Sequence, residues 1–326
     1  MIGARPALAL QRLLQVIPVV LAIASLNFAL LKLAPGDAAD ILGGMSGHAT
    51  TEYLAQLRQE MGLDQPVWRQ YLSYIARLLT LDLGISMIQG VPVADLILQR
   101  LPATLILMMA ALVVAVLCGV LAGVTAARFK GTWIDNVTST VALLIYATPQ
   151  FWLGLMLIVA FSITLGLLPS GGMMRIGVSQ TVLGTVLDVL RHLILPAITL
   201  GLFYMAVYAR LMRASMLEVM TLDYITTARA KGLSERQIAW RHAFRNALLP
   251  VVTLIGIQVG HLLGGSILVE TVFGWPGLGR LIFDALLQRD TNLLLGILFV
   301  SSVSVVAVNL VVDLVYDVLD PRSAKT

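Results

Sequence analysis

Charge is scarce in this sequence, and so are cysteine and histidine. Only 12% of its 326 residues are Asp, Glu, Lys or Arg, against roughly a quarter in a soluble domain, so a water-soluble globular class is excluded. The single cysteine, Cys118, lies inside an apolar run, which leaves no disulfide framework and no thiolate metal cluster to build. The four histidines form no concentrated ligand set in the apolar runs, so nothing in the spacing points to a metal site. No G-x-x-x-x-G-K-(S/T) phosphate loop occurs, so the chain does not bind ATP by that means, and neither catalytic nor cofactor-binding residues are assigned.

What the chain has in abundance is apolar residue, 58% of the total. Crossing roughly 30 Å of hydrocarbon takes about 20 helical residues, and six runs are long enough, near 13–33, 105–127, 137–167, 193–211, 248–273 and 293–314. The first follows Arg5 and Arg12 and precedes the small residues Ala38 and Ala39, as a secretory signal would. Its apolar stretch exceeds the about 7–15 residues of such a region, so it reads as an uncleaved first helix.

Lysine and arginine set the orientation. Arg5 and Arg12 precede the first run, Arg128 and Lys130 separate the second from the third, and Arg210, Arg213, Arg229, Lys231, Arg236, Arg241 and Arg245 separate the fourth from the fifth. With six spans all three groups fall on one side, which the positive-inside rule makes cytoplasmic together with both termini. The net charge of +4 is explained by this topology, and no nucleic-acid partner is inferred from it. The division expected is a cytoplasmic N-terminus and first helix over 1–33, an external segment over 34–104, a five-helix core over 105–317, and a tail over 318–326.

The external segment has helical texture. Tyr53, Leu54, Leu57 and Met61 recur at helical spacing until Gly62, and Pro66 opens a second stretch with Trp68, Tyr71, Leu72, Ile75 and Leu79 on one side. Two amphipathic helices are predicted, lying on lipid, contacting a soluble partner or packing on the bundle.

The cytoplasmic connection 218–247 is the most informative stretch. Helix-forming residues run from Asp223 to Lys231, Gly232 offers the break where positive φ is cheap, and Ser234 with Gln237 makes a capping box for a second helix. Pro250 then marks the entry to the next span. A loop needed only for topology requires the charges but not two capped helices, which points to a docking partner. A DNA-reading helix-turn-helix would be pinned to the bilayer here; a patch for anionic membrane lipids is the stronger competitor.

Several strings resemble one family, the membrane subunits of binding-protein-dependent ABC importers, and in it the first permease of the dipeptide, oligopeptide and nickel group. They are Thr227-Ala228-Arg229-Ala230-Lys231-Gly232, then Arg245-Asn246-Ala247-Leu248-Leu249-Pro250, GIQVGHLLGGSILVETVFGWPGLGRL at 256–281, NLVVDLVYDVLDPR at 309–322 and APGD at 34–37. Where the general signature of such importers begins with glutamate this chain has Thr226, so an acidic contact at that place is not carried over. The resemblance implies an all-α integral membrane protein of six transmembrane helices with the type I ABC importer permease fold, in the bacterial inner membrane. It implies import of di- or oligopeptides, with nickel, a nickel chelate or another small solute such as glutathione as the alternative. It further implies a second homologous permease forming a heterodimer, two ATP-binding subunits that use ATP and Mg, and a periplasmic or lipid-anchored substrate-binding protein. The ATPase-coupling residues it implies are Asp223, Tyr224, Thr227, Ala228, Arg229, Ala230, Lys231, Gly232, Ser234, Arg245, Asn246 and Pro250.

Within the spans, Gly256, Gly260 and Gly264 repeat every fourth residue and predict a smooth helix-packing ridge. His261 beside it is either an interhelical hydrogen-bonder or part of a polar path. An intramembrane hydrolase built on His261 and Ser266 is the competing enzyme reading, but a five-residue separation sets them at mismatched helical angles. Asn309 and Asp313 share a helix face and are expected to point into the bundle. Pro149 and Pro196 are expected to interrupt spans three and four. Glu270 and the turn-rich Gly274–Gly279 stretch read as a gate or a cap.

Overall fold

The computed structural model describes residues 4–33, 39–40, 43, 50–175, 177 and 181–319. Among them the regular elements are helices, with one isolated antiparallel bridge between Ile85 and Pro92. That follows from the apolar runs, because a chain in hydrocarbon has no water to satisfy its backbone and must do so within each segment. The elements are α1 (Ala4–Leu33), α2 (Thr51–Glu60), α3 (Val67–Leu79), α4 (Val93–Arg128), α5 (Trp133–Ala147) and α6 (Gln150–Leu157), which continues as a π-helix over Ile158–Thr164. Then come α7 (Val182–Val219), α8 (Asp223–Ala230), a short α9 (Glu235–Gln237) leading into a π-helical segment (Ile238–Ala243), α10 (Phe244–Ala247), α11 (Leu249–Val272), α12 (Leu278–Gln288) and α13 (Thr291–Leu319).

Among the described residues four helices are long and apolar enough to cross a membrane: Gln15–Leu33, Val93–Arg128, Val182–Val219 and Thr291–Leu310. A fifth crossing is made if Trp133–Ala147 and Gln150–Thr164 count as one span, and α11 has 24 residues. The two prolines behave differently. At Thr148 and Pro149 the chain bends by 104°, so the run 137–167 is no straight helix; Thr148 is extended, with φ −79° and ψ 129°, as the residue before proline prefers. Pro196, by contrast, does not interrupt span four as the sequence predicts. The 38-residue α7 runs unbroken through it, its buried ring costing one backbone hydrogen bond that the packed surroundings tolerate. At about 1.5 Å per residue, the 36-residue α4 and the 38-residue α7 outrun the hydrocarbon and project beyond it.

The described chain groups into two units, residues 1–101 with 281–314, and residues 102–280 with 315–326. In the first unit the last helix belongs with the N-terminal segment: Asn27 donates to the Leu295 carbonyl at 3.4 Å, and Asn292 to that of Ile85 at 3.3 Å. Buried Asp290 accepts from Ser86 Oγ at 2.5 Å, from the Ile88 amide at 3.3 Å and from the Leu293 amide at 3.1 Å, which caps α13. The two short helices are present, but α3 divides its apolar residues between two faces. Tyr71 and Tyr74 meet Phe28 of α1 at ring separations of 5.3 and 5.7 Å, while Trp68, Leu72 and Leu79 are exposed.

In the second unit α4 and α7 pack closely because small residues face a backbone. A Cβ on Gly119 would lie 2.7 Å from the Met205 carbonyl oxygen, one on Gly123 2.5 Å from that of Ala209, and one on Gly201 2.8 Å from that of Ala111. Two apolar helices in lipid gain little from burial as such, so this approach, with its dispersion contacts, is what holds them together. The core around it includes Leu107, Ala111, Ala115, Leu200, Tyr208 and Met212.

Candidate functional site

The stretch 218–247 folds as a compact helical hairpin whose closure is built from local chemistry. α8 starts with Asp223 in its first turn, an anion placed against the amide-rich end. It ends in a Schellman arrangement, with the Gly232 amide donating to the Arg229 carbonyl at 2.9 Å and the Leu233 amide to that of Ala228 at 3.4 Å. That geometry puts Gly232 at φ +80°, and a Cβ there would meet open space, so the requirement for glycine is conformational and not steric.

Ser234 begins the second helix as the sequence predicts. Its hydroxyl accepts from the Gln237 amide at 3.4 Å, and the Gln237 side-chain oxygen accepts from the Ser234 amide at 3.0 Å, a complete capping box. Arg229 braces the turn, donating from Nε to Glu235 Oε1 at 2.8 Å and from Nη2 to Oε2 at 3.4 Å. The guanidinium holds the Glu235 carboxyl below the ordinary carboxylate range. Tyr224 and Asn246 also meet: Asn246 Nδ2 donates to the Tyr224 hydroxyl at 2.8 Å, and that hydroxyl donates to the His242 carbonyl at 3.3 Å.

The hairpin has a buried side and a polar one. Ile225 and Ala228 of α8 join Ile238, Ala239 and Ala243 of the π-helical segment, and this seam is continuous with Met212 and Met216 of α7. Asp223, Thr227, Ala230, Lys231, Gly232, Ser234, Arg245, Asn246 and Pro250 are exposed. A π-helical turn is rare and tends to occur at functional sites; this one lets Ile238, Ala239 and Ala243 all face inward. Trp240 is 42% exposed and rests on Phe244 at 5.2 Å.

Two further constellations were not legible in the spacing. Arg213, counted from sequence as a topology charge, is half of a bidentate pair with buried Asp135, through Nε at 2.8 Å and Nη2 at 2.7 Å. Asp135 also accepts from the Gly131 amide at 3.0 Å, so the start of α5 is tied to α7 next to the hairpin. At the far end of α11, fully buried Glu270 accepts from Thr104 Oγ1 at 2.8 Å and from the Arg280 amide at 3.0 Å, with Ser266 and the Gly279 amide as further donors. Thr104 in turn accepts from the Leu278 amide at 2.7 Å, and Trp275 Nε1 donates to the Ala103 carbonyl at 2.8 Å. A carboxylate with this many donors is a fixed cap on the Gly274–Gly279 turn. The only sequence signal was an acidic residue ahead of a glycine-rich turn.

Of the residues expected to serve helix packing or a pathway, three have described surroundings. Gly256 is buried, whereas Gly264 is exposed and a Cβ on it would meet nothing within 4 Å. Gly119 and Gly123 form a close-packing ridge of their own on α4. Asn309 is exposed in this single chain. The side-chain environments of Gly260, His261 and Asp313 lie outside the described residues, as do the segments 34–37 and 320–326.

Comparison with known proteins agrees with the fold. The family model for the binding-protein-dependent transport system inner membrane component matches residues 119–325, and the model for the N-terminal part of such membrane components matches 7–108. The dipeptide transport system permease protein DppB of Escherichia coli K12 is 44% identical over 330 residues, covering 96% of this chain and 97% of that protein. The glutathione transport system permease protein GsiC of Escherichia coli O6:H1 is 41% identical over 312 residues, covering 96% and 97%. Among solved structures, the inward-facing MetNI methionine ABC transporter matches with a TM-score of 0.56 over 69% of this chain and 96% of that chain, at 18% identity, a likeness of fold alone. With the two models together matching 7–108 and 119–325, this protein belongs to the family of binding-protein-dependent transport system inner membrane components.

Proposed function

We propose that the chain is the permease subunit of an ATP-driven importer that carries short peptides across the bacterial inner membrane. The observation that carries this reading is identity of 44% and 41% with a dipeptide and a glutathione permease along nearly the whole of each chain. Glutathione is itself a short peptide, so the two relatives agree on a class of cargo. Nickel, the other solute of the wider group, has no comparable support.

As a permease subunit the chain is not itself a catalyst, and the energy enters through separate ATP-hydrolysing subunits. The exposed side of the hairpin, from Asp223 to Ser234 and from Arg245 to Pro250, is the surface offered to such a subunit. Schellman turn, capping box and Arg229–Glu235 brace make it stiff, and a stiff element passes on rigid-body motion that a flexible loop would absorb. The buried seam through Ile225, Ala228 and Ile238 carries that motion to α7, and the Asp135–Arg213 pair carries it to α5.

Six spans, counting the bent pair and α11, place both termini in the cytoplasm by the positive-inside rule. A second homologous permease completes the conduit, with alternating access at the interface of the pair. The open face at Gly264 and the exposed Asn309 are surfaces this chain leaves for that subunit. The test is reconstitution with the partner permease, ATPase subunits and binding protein in liposomes: ATP-dependent uptake of labelled dipeptide is expected. Uptake of nickel without dipeptide uptake would overturn the cargo assignment, and uptake by the isolated subunit without ATPase would overturn the mechanism.

A further inference from the structure

A cavity of about 570 Å³ opens where α1 ends against the α2–α3 turn. Phe28, Leu31 and Lys32 of α1 form one wall, and Leu72 and Arg77 of α3 the other, with Arg69 at the rim. The lining includes three cations and no carboxylate. Among the described residues none of the three forms an ion pair with a carboxylate. Lys32 Nζ donates to the Gln70 amide oxygen and lies 5.9 Å from the centre of the Phe28 ring. Arg69 donates to Gln65 Oε1 at 3.3 Å and sits over the Trp68 ring at 5.2 Å. The Arg77 guanidinium pairs with no carboxylate among the described residues. Like charges converging on one concave surface repel, and an anion held among them relieves that repulsion.

Depth identifies the anion. Gln15–Leu33 is long and apolar enough to cross the membrane, and a crossing sets its last turns, with Phe28, Leu31 and Lys32, where hydrocarbon gives way to headgroups. A free anion would use the cations alone, whereas this cavity sets Phe28, Leu31 and Leu72 beside them, as an amphiphile needs. α3 agrees. It turns Tyr71 toward Phe28 and leaves Val67, Trp68 and Leu72 about 60% exposed, an amphipathic helix with an interfacial tryptophan.

We propose that this cavity binds the phosphate headgroup of an anionic phospholipid, in the leaflet where α1 ends, with Lys32, Arg69 and Arg77 as the cationic lining and α3 resting in that leaflet's interface. The proposal depends on α1 crossing the membrane, and neither on the solute carried nor on which side α1 emerges.

Native mass spectrometry of the assembled transporter tests it, with phosphatidylglycerol, phosphatidylcholine and inorganic phosphate titrated in parallel. Phosphatidylglycerol is expected to be retained over phosphatidylcholine, R77Q to weaken retention about fivefold, and K32Q/R69Q/R77Q to abolish the preference. Equal retention of the two lipids, or an unchanged preference in the triple variant, overturns the proposal. Competition by phosphate at the lipid's own concentration also overturns it, in favour of a free anion. The three side chains are exposed, so neutralising them leaves the packing alone. A second readout on the otherwise unaltered protein uses a diazirine-bearing leucine at Leu72: a lipid-mass adduct is expected, and an adduct with another polypeptide overturns the assignment.

Discussion

Arg213 and Asp135, 78 positions apart, form a two-pronged ion pair at 2.8 and 2.7 Å that ties α7 to the first turn of α5. The acid is buried, and the guanidinium keeps 33% of its side-chain surface. Asp135→Ala leaves a cation without its partner and is expected to cost stability near the lower end of about 3–5 kcal/mol. Arg213→Lys should recover only part of it, because an ammonium lacks the planar fork. Thermal unfolding in detergent of the two single variants and the double measures the coupling; strictly additive losses would show that the pair contributes nothing as a pair.

The turn at Gly232 predicts a functional defect with modest loss of stability. At φ +80° with free space around it, a valine is strained by about 1–2 kcal/mol, while asparagine tolerates the left-handed region better. Gly232→Val is therefore expected to keep ATP hydrolysis in the reconstituted transporter but to lower uptake per ATP, with Gly232→Asn in between. Unchanged coupling in the valine variant would count against the hairpin as the docking element.

The Arg229–Glu235 brace has a pH signature. The guanidinium holds the Glu235 carboxyl below its ordinary value, so the contribution is fully present above the unfolded carboxylate pKa and fades as pH falls through the lower folded one. Both side chains are substantially exposed, 42% and 58%, so the effect at neutral pH should stay below about 1 kcal/mol and shrink with salt. Stability of wild type and Glu235→Gln should differ at neutral pH and converge in acid; a constant gap would place the effect in the capped turn instead.

Two glycine substitutions should separate packing inside the chain from packing outside it. Gly123→Val drives a side chain into the Ala209 carbonyl, 2.5 Å from the added carbon, and is expected at or beyond the upper end of about 1–3 kcal/mol. Gly264→Val meets open space and should leave the isolated subunit as stable as before while weakening co-purification of the second permease. Equal yields of the complex from Gly264→Val and wild type would remove α11 from the subunit interface.

Glu270→Gln should loosen the cap. The amide nitrogen it introduces must face one of the donors, Thr104, Ser266 or the backbone amides, that now converge on two carboxylate oxygens, at a cost of about 1–3 kcal/mol for an unmet buried group. Faster amide exchange at Leu278 and Arg280 is the expected sign, and unaltered protection would mean that the glycine turn holds itself.

The hairpin was legible at the level of individual residues because its signals are short in range. A left-handed glycine, a serine three places before a glutamine and a proline at the next helix entry each act within a single turn of chain. The spans were legible as runs, since length and apolarity alone decide whether a segment can cross hydrocarbon. Their packing was not. Nothing in the spacing announced the close approach at Gly119, Gly123 and Gly201, where an added Cβ would meet a backbone.

The sequence by itself determined that this is a helical membrane protein with a capped polar hairpin and no phosphate loop in its sequence, because each of those properties depends on composition or on residues within a few positions of one another. Tertiary structure alone decided that Arg213 answers Asp135, that Thr104 answers Glu270, and that Pro149 turns the chain through 104° while Pro196 is passed straight through. The reason is that an apolar face in such a chain suits lipid and protein equally well. Periodicity cannot say which glycine meets a neighbour, and a buried charge finds its partner only once distant helices stand side by side.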